Sequence, residues 1–492
     1  MNIALVIIFA FLVLSIYLGV RSKKGKEMNL EQWAVGGRGF GTIMLFLLMA
    51  GELYTTFTFL GGSGWAYGRG GPAFYIIIQG TIAYIMSYWL LPAIWKYGKE
   101  HNLLSQADFF VSKYKSTFLG VVVALVGVVA GIPYLVLQLK GLGIIVSEAS
   151  YGSISPTAAI WISVIAVTIY VMISGIHGAA WTAAIKDIMI LGIVIFLGIY
   201  LPIHYYGGFQ PMFEAIEQTK PGFLALPDSG LSVSWFISTI VLTAMGLYMW
   251  PHTFGASFSA QNARVFRKNA IIMPVYQLVL LFIFFVGFAA TLQVGGLEGA
   301  DMDLALLKLS IQTFDPWVVG IIGAAGLLTA IVPGAMILLT TATVLSKNVY
   351  KAFAPKASDQ QIEKLAKNLV PVVAIIALYF TFKGGDTLVS LLLMGYSLVT
   401  QLFPSLIFSL AKKNFVTKQG AAAGIIAGVA TVAYITISGT TLGTLFPSLP
   451  QFIQDLNVGV VALMINLVVT ITVSVVTARS LSHKKANEHV AS

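Results

Sequence analysis

A single carboxylate, Glu52, lies inside an apolar stretch that is long enough to cross a membrane. The stretch from Thr42 to Ala66 reads TIMLFLLMAGELYTTFTFLGGSGWA, and Glu52 is its one charged residue. An ionisable group at the centre of a span costs roughly 2.5–3.5 kcal/mol on insertion scales, and it usually handles an ion, a proton or a solute. The stretch therefore predicts a transport site.

Hydroxyl groups and glycines surround Glu52. They are Gly51, Tyr54, Thr55, Thr56, Thr58, Gly61, Gly62 and Gly64. The glycines interrupt the helix and free backbone carbonyls, which are tolerated at this depth only where they line a cavity. We expect the carbonyls near Ala50 and Gly51 to bind a coupling ion, and Glu52, Tyr54 and Thr55 to contact a solute.

Two further polar residues lie in the fourth apolar stretch, in PYLVLQLKGLG. Lys140 could bind a solute carboxylate, with Gln138 as a hydrogen-bonding neighbour. The alternative is a purely structural ion pair between Lys140 and Glu52.

A second interrupted stretch reads TAMGLYMWPHTFGASF, in which Gly246 and Pro251 break the helix. Tyr248 and Trp250 could form an apolar wall for a solute, and His252 could titrate near neutral pH. In a chain with 12% aromatic residues, core packing is the alternative role for all three.

Composition assigns the chain to a class. Of its 492 residues, 58% are hydrophobic and only 10% are charged, whereas a soluble domain carries about 25% charged residues. We therefore expect an all-α polytopic protein of the cell membrane, with residues 1–492 forming one transmembrane domain in contact with lipid. The chain has no cysteine, which excludes disulfides and cysteine-based metal sites.

Hydropathy predicts about thirteen transmembrane helices. They cover residues 3–20, 41–67, 72–95, 118–147, 156–174, 179–204, 233–252, 270–292, 316–346, 369–382, 386–410, 420–439 and 458–478. With the N-terminus outside and the C-terminus inside, the inside loops hold 23 of the 29 Lys and Arg residues and the outside loops hold four. This asymmetry supports that orientation, because positive residues concentrate on the cytoplasmic side.

The two interrupted stretches are the second and seventh spans, five spans apart. Spans 2–6 and 7–11 therefore form two predicted repeats, and the odd number inverts the second repeat in the membrane. Paired broken helices at corresponding positions indicate a transporter's binding site. Glycine and proline are also common in membrane helices, which is the alternative reading.

Several motifs resemble the sodium:solute symporter family, in the branch of pantothenate, proline and monocarboxylate carriers. They are EQWAVGGRGFG at 31–41, GGSGWAYGRGGPAF at 61–74, AWT at 180–182, WPHTF at 250–254 with NARVFRKN after it, and LSKNVYKAF at 345–353. The resemblance implies a LeuT-type inverted repeat, alternating access and sodium-driven uptake of a small organic solute.

The chain departs from the family pattern at the ion site. Many members bind sodium with a pair of hydroxyls on the ninth helix, but Val332 and Pro333 occupy that position here. Thr329 and Thr340 are the nearby hydroxyls that could assist Ala50 in binding Na⁺. The aspartate that often follows the WT of the sixth span is replaced by Ala183, and Lys186 lies three residues later.

Lys186 suggests proton coupling. A buried ammonium can stand where a sodium ion would bind, and it can also release its proton. The alternative is that Lys186 extends to the cytoplasmic interface, with Asp187 as a structural partner.

These observations predict a cation-coupled secondary symporter that imports a small organic solute, which we expect to be a carboxylate. The coupling ion is Na⁺ or H⁺, and no cofactor or resident metal is expected. A membrane receptor or sensor and a passive channel are the alternatives. An enzyme is not predicted, since HExxH, nucleophile-elbow and P-loop motifs are missing. Nor does any basic segment interleaved with aromatics predict nucleic-acid binding.

Overall fold

The computed structural model describes residues 2–22 and 30–490, and it describes their side chains except at 20, 22, 30, 33–34, 173–179 and 480–490. Within these residues the chain is helical and forms no strand, as predicted, and the one isolated β-bridge joins Phe40 to Ala260. Of the predicted cytoplasmic cations, Lys23, Lys24 and Lys26 lie outside the described residues, as do the side chains of Lys484 and Lys485.

The helices of the N-terminal part are α1 (Ile3–Ser22), α2 (Leu30–Val35), α3 (Thr42–Gly51), α4 (Ser63–Arg69), α5 (Tyr75–Glu100), α6 (Gln106–Tyr114), α7 (Thr117–Ala149), α8 (Pro156–Tyr206) and α9 (Phe209–Thr219). The middle part forms α10 (Val233–Gly246), α11 (Pro251–Ser257), α12 (Ala263–Gln277), α13 (Leu280–Gln293), α14 (Ala305–Thr313), α15 (Pro316–Val344) and α16 (Lys351–Phe353). The C-terminal part forms α17 (Asp359–Lys383), α18 (Leu388–Val399), α19 (Phe403–Leu410), α20 (Lys418–Ser438), α21 (Leu442–Leu445), α22 (Gln451–Gln454) and α23 (Val458–Val490).

Nine helical segments of the described chain are long and apolar enough to cross a membrane. A tenth span is formed by Val233–Met249 and Pro251–Ser257, which meet at an angle of 56°. Shorter apolar helices at Ile3–Gly19, Thr42–Gly51 and Pro156–Met172 overlap the remaining predicted spans. The multi-pass architecture is thus confirmed, while the count of thirteen and the orientation of the termini stay predictions.

Two predicted boundaries differ from the structure. The span predicted at 369–382 belongs to the longer α17, whose start is fixed by a Ser358 capping box. The predicted fifth and sixth spans both fall within α8. The hydroxyls of Tyr170 and Thr182 are 2.8 Å apart, although a straight helix would separate these residues by about 18 Å. The chain therefore bends between them. The parts of α8 before and after the bend correspond to the predicted fifth and sixth spans.

Helix α15 lies at the centre of the bundle. Of its most apolar 18-residue stretch, 94% is buried, far more than in any other described span. Glycines bring its neighbours close, since a Cβ at Gly320 would meet the backbone of Ala4 in α1, and one at Gly326 would meet Ile145 in α7. The ninth span is consequently a buried, closely packed helix beside the interrupted helices.

The second half of the interrupted second span packs directly on α13. A Cβ on Gly287 would overlap the carbonyl oxygen of Ser63 and the side chain of Ala66 in α4. Backbone contact of this kind needs a residue without a side chain, because small residues let membrane helices approach closely.

We expect Gly287→Val to separate α13 from α4 and to destabilise the protein by about 1–3 kcal/mol, the range for overpacked cores. Thermal unfolding of the purified protein in detergent measures this. Gly192→Val is the matched control, since Gly192 is an exposed helical residue with nothing within 4 Å of its Cβ position. Equal unfolding temperatures for the two variants would contradict the packing argument.

Candidate functional site

The break in the second span lies between Gly51 and Phe57. Helix α3 ends at Gly51, and a π-helical turn from Phe57 to Gly62 leads into α4. Thr58 stabilises the break, because its hydroxyl contacts the carbonyls of Leu53 and Thr55 at 3.0 Å and accepts from the Thr55 N–H at 3.0 Å. The hydroxyl of Thr55 accepts from the Phe57 N–H at 3.1 Å. These threonines replace the helical hydrogen bonds that the break removes.

The carbonyls at the end of α3 are occupied by the ammonium of Lys186. Its Nζ donates to the carbonyl oxygens of Gly51 and Tyr54 at 2.9 Å each, and the Ala50 oxygen is 3.5 Å away. The Asp187 carboxylate lies 3.1 Å from Nζ. The lysine side chain is completely buried. It therefore does not extend to the cytoplasmic interface, which was the alternative reading of the sequence.

Apolar side chains complete the surroundings of this ammonium. A Cβ on Gly51 would lie 3.3 Å from both Ala183 and Val332, and 3.8 Å from Lys186 Nζ. Val332 thus lies beside Gly51, at the position where a hydroxyl ligand was expected and is missing. Thr329 is buried one turn earlier and donates its hydroxyl to Gly326 of its own helix. Thr340 lies elsewhere, against Pro251 and His252.

A cavity of about 30 Å³ lies between the two interrupted helices, with room for one or two water molecules. Its walls include Glu52 and Leu53 from one break and Leu247, Trp250 and His252 from the other. Its wall also includes the polar and aromatic side chains of Gln79, Tyr84, Tyr134, Gln277 and Tyr396. Both breaks thus face one small enclosed space.

The cavity concentrates buried polar groups that lack hydrogen bonds. Both carboxylate oxygens of Glu52, the Oε1 atoms of Gln79 and Gln277, and Nε2 of His252 have no aligned partner among the described residues. Glu52 Oε2 is 3.0 Å from His252 Nε2, so the two buried groups are in close contact without hydrogen-bond alignment. Unsatisfied buried polar groups are rare in native proteins, and a cluster of them indicates a ligand site.

The break in the seventh span places Trp250 and His252 at this cavity. Trp250 has an extended backbone between a short 3₁₀ turn and α11, and Pro251 starts the new helix. The Trp250 ring packs at 4.9 Å from Tyr134 and 5.3 Å from Tyr396. Gly395 is necessary for this contact, because a Cβ there would overlap the indole.

The other residues predicted for a solute site have different surroundings. Tyr54 does not line the cavity, and its hydroxyl donates to the Tyr276 carbonyl at 3.2 Å. Gln138 accepts a hydrogen bond from Thr56 at 2.7 Å. Tyr248 is buried next to the cavity but does not line it. Lys140 is half-buried and donates to the Asp386 carbonyl at 2.6 Å, so it is paired neither with Glu52 nor with a group of the cavity.

Gln79, Gln277, Tyr84 and Tyr134 of the cavity wall were not predicted from the sequence. Gln79 and Gln277 carry the same signal as Gln138, a polar amide within an apolar helix, and that criterion could have found them. Tyr84 and Tyr134 carry no such signal in a chain this rich in aromatic residues.

Comparison with known proteins shows the family. The sodium:solute symporter family profile matches residues 33–428. The chain belongs to the sodium:solute symporter family. It is 69% identical over 482 residues, 98% of this chain and 99% of the other, to a Bacillus subtilis protein described as the uncharacterized symporter YhjB. It is 29% identical to a monocarboxylate transport permease protein of Rhizobium johnstonii, over 86% of this chain and 85% of that protein.

Solved structures agree on the fold. The symporter superimposes on a substrate-bound, outward-open Na⁺-coupled sialic acid symporter with a TM-score of 0.76 and 16% identity, over 97% of this chain and 98% of that one. The match to MhsT in complex with L-phenylalanine has a TM-score of 0.54 and 16% identity, over 88% and 98%. The expected LeuT-type architecture is thereby supported, and the protein is a cation-coupled transporter rather than an enzyme.

Lys140 of this symporter lies near a buried acid, Asp303, in the connection between α13 and α14. Asp303 Oδ2 accepts from the Leu388 N–H at 2.8 Å, while Oδ1 has no partner among the described residues. Burial raises the pKa of the Asp303 carboxyl to about 7. The folded protein therefore binds this proton more tightly than the unfolded chain does.

It follows that Asp303 lowers stability as the pH rises from the ordinary aspartate value of 3.8 to about 7. Asp303→Asn keeps the acceptor for Leu388 and removes the titration. We expect the variant's gain in unfolding temperature over wild type to be larger at ~pH 8 than at ~pH 5, because the destabilisation by Asp303 grows across this range. Asp301→Asn, at an exposed neighbour, is the control, and a pH-independent difference for Asp303→Asn would contradict the assignment.

Proposed function

We propose that this symporter imports a small organic carboxylate together with protons, by alternating access. The observation that carries the proposal is the cluster of unsatisfied polar side chains around one closed cavity between the two interrupted helices. A space of about 30 Å³ is too small for an organic solute, so the structure corresponds to a contracted state that must open to load one.

The lining of the cavity supports a small carboxylate. Trp250, His252 and the tyrosines line the cavity together with Glu52 and offer several hydrogen-bond donors. A relative of this chain is described as a monocarboxylate transport permease. In this proposal Glu52, Trp250 and His252 contact the solute, while Tyr54, Thr55, Gln138 and Tyr248 shape the surrounding wall. Lys140 is left out, because its ammonium is bound to the Asp386 carbonyl.

Lys186 supports the proton as coupling ion. Its ammonium sits on the carbonyls of Gly51 and Tyr54, as a sodium ion would, with Val332 in place of a hydroxyl ligand. Loss of its proton would remove the positive charge and one of three N–H donors, so the hydrogen bonds to these buried carbonyls would lose the charge assistance that makes them about twice as strong as neutral ones. Deprotonation therefore destabilises the broken helix in this arrangement and favours a change of state. Sodium coupling, with Ala50 and Thr329 as ligands, is the competing proposal.

A passive channel and a receptor are less well supported. The central cavity of about 30 Å³ has room for one or two water molecules, which is too narrow for a solute pore. The relatives named above are described as transporters.

Uptake of radiolabelled pyruvate into proteoliposomes, with sodium and proton gradients imposed separately, tests the proposal. We expect accumulation driven by an inward proton gradient at equal sodium concentrations on both sides. Liposomes without protein are the control, and proline and pantothenate serve as competing solutes. Accumulation that needs a sodium gradient and ignores an imposed pH gradient would overturn proton coupling.

A solute-independent experiment concerns the ion site itself. Lys186→Ala removes the ammonium and leaves the carbonyls of Gly51 and Tyr54 without a donor, and Val332→Ser adds a hydroxyl beside them. We expect sodium, but not potassium, to raise the unfolding temperature of the double variant and to leave wild type unchanged, because a ligand that binds only the folded state stabilises it. No sodium effect in the double variant would show that this position is not the family's ion site.

A further inference from the structure

A cleft of about 480 Å³ lies at one end of the bundle and shares no lining residue with the central cavity. Its wall includes Gly230 and Trp235, Met394 of α18, and the segments 441–443 and 451–458. The connections before α10 and between α20 and α23 are both predicted to lie outside the cell. Small-molecule sites occupy roughly 300–1,000 Å³, so this cleft is large enough for a ligand.

The cleft contains a buried carboxylate oxygen without a partner. Asp455 is the one charged residue in the described lining, and it is only 8% exposed. Its Oδ1 atom accepts from the Gly230 N–H at 3.0 Å and from Gln451 Nε2 at 2.8 Å. Its Oδ2 atom has no hydrogen bond to any described residue. Buried acceptors of this kind are rare in native proteins and indicate a missing donor.

The neighbouring side-chain amides do not supply that donor. Gln454 donates its amide nitrogen to the carbonyls of Pro447 and Leu449 at 3.2 and 2.6 Å. Asn457 donates its own amide to the Thr239 hydroxyl at 3.0 Å. These nitrogens are engaged within the protein, whereas the carboxylate oxygen can only accept. A ligand that fits the cleft must therefore donate hydrogen bonds, and a positive charge would complement the aspartate.

An apolar groove of about 420 Å³ continues from the cleft, and Leu442 lines both. The groove lies between two helices, with Ala430 and Ile435 on α20 and Val461 and Ile465 on α23. Since a helix rises 1.5 Å per residue, it extends about 10 Å from the start of α23 towards the middle of the bundle. The groove therefore has the apolar wall and the direction that a lipid acyl chain needs.

Aromatic side chains indicate that the cleft lies at the depth of the lipid headgroups. Tyr434 at the groove is 60% exposed, and Trp235 is half-buried in the cleft wall. Tyrosine and tryptophan are enriched at the interface between membrane and water. Phe446 and Phe452 are also more than half exposed, as expected of side chains that contact lipid. The polar cleft is thus at headgroup depth, and the groove continues at acyl-chain depth.

We propose that the cleft and the groove together bind one outer-leaflet phospholipid with a primary-ammonium headgroup, of the phosphatidylethanolamine type. Its ammonium donates to Asp455 Oδ2, and one acyl chain lies in the groove beyond Leu442. The phosphate stays in water at the mouth of the cleft, because the described lining has no Lys, Arg or His. The inference does not depend on the proposed transport function, since the central cavity is separate.

The free carboxylate oxygen should distinguish between headgroups. Phosphatidylcholine keeps the positive charge but has three methyl groups in place of the N–H donors. Phosphatidylglycerol has a net negative charge, which a buried carboxylate repels. Charge-assisted hydrogen bonds are the strong ones. We therefore expect phosphatidylethanolamine to bind about tenfold more tightly than either lipid with the same acyl chains.

Native mass spectrometry of the purified protein in detergent, titrated with each of the three lipids, measures these affinities. Asp455→Asn keeps an acceptor for Gly230 and Gln451 and removes the charge, so it should lower the affinity for phosphatidylethanolamine to that for phosphatidylcholine. Asp301→Asn, at an exposed aspartate of another predicted outer loop, is the matched control and should keep the tenfold preference. Equal affinities in wild type, or an undiminished preference in Asp455→Asn, would overturn the proposal.

A variant of the groove tests the acyl chain and remains informative if Asp455→Asn does not fold. Ala430→Phe fills the groove from an exposed position, and it should weaken phosphatidylethanolamine and phosphatidylcholine alike by about tenfold. Ile437→Phe, at an exposed position of α20 outside the groove, should leave both affinities unchanged. Unchanged lipid affinity in Ala430→Phe would contradict the placement of the chain.

Soluble ethanolamine identifies the source of the ammonium group. It has the same headgroup amine without acyl chains, so at equal concentration it should leave the unfolding temperature of wild type unchanged, while phosphatidylethanolamine raises it. Equal stabilisation by both compounds would make the ligand a soluble amine and overturn the lipid site. None of these measurements uses a transported solute, so their failure would leave the proposed function untouched.

Discussion

The structure depends on how the carbonyl groups freed by the break after Gly51 are satisfied. A helix that ends inside a membrane leaves its last carbonyls without partners, and no lipid can supply them. Here one ammonium, that of Lys186, bridges Gly51 and Tyr54 from a different span. The break is therefore stable only while α3 stays in contact with the part of α8 after its bend. Any step that removes the charge or the contact also loosens the broken helix.

The second interrupted helix uses a different solution. Its break is closed by an extended residue, Trp250, and by a proline that has no N–H to satisfy. No cation is needed there, and the indole is free to fill the space beside Tyr134 and Tyr396. The two interrupted helices thus differ: the first carries the carbonyls that bind the Lys186 ammonium, and the second contributes Trp250 and His252 to the cavity wall.

The sequence predicted the multi-pass helical architecture and the charged residues near the first break because both depend on local rules. Span positions follow from hydropathy, and Glu52 and Lys186 stand out as charges in apolar helices. Lys140 gave the same signal but lies outside the cavity, since hydropathy does not determine which face of a helix a residue occupies. Its partner, Asp386, is 246 residues away in the chain. The tyrosine wall was not predictable for a related reason, because only tertiary contacts distinguish a wall residue from ordinary core.

The same short segment serves both sites. The backbone of Gly51 binds the Lys186 ammonium, and the side chain of the next residue, Glu52, faces the cavity and His252. In the proposed function the proton and the solute bind at consecutive residues of one turn, so each biases the same conformational equilibrium. Coupling in that function therefore needs no long pathway through the protein. It follows from a helix break so short that its carbonyl and its carboxylate belong to consecutive residues, one facing the cation and the other facing the solute cavity.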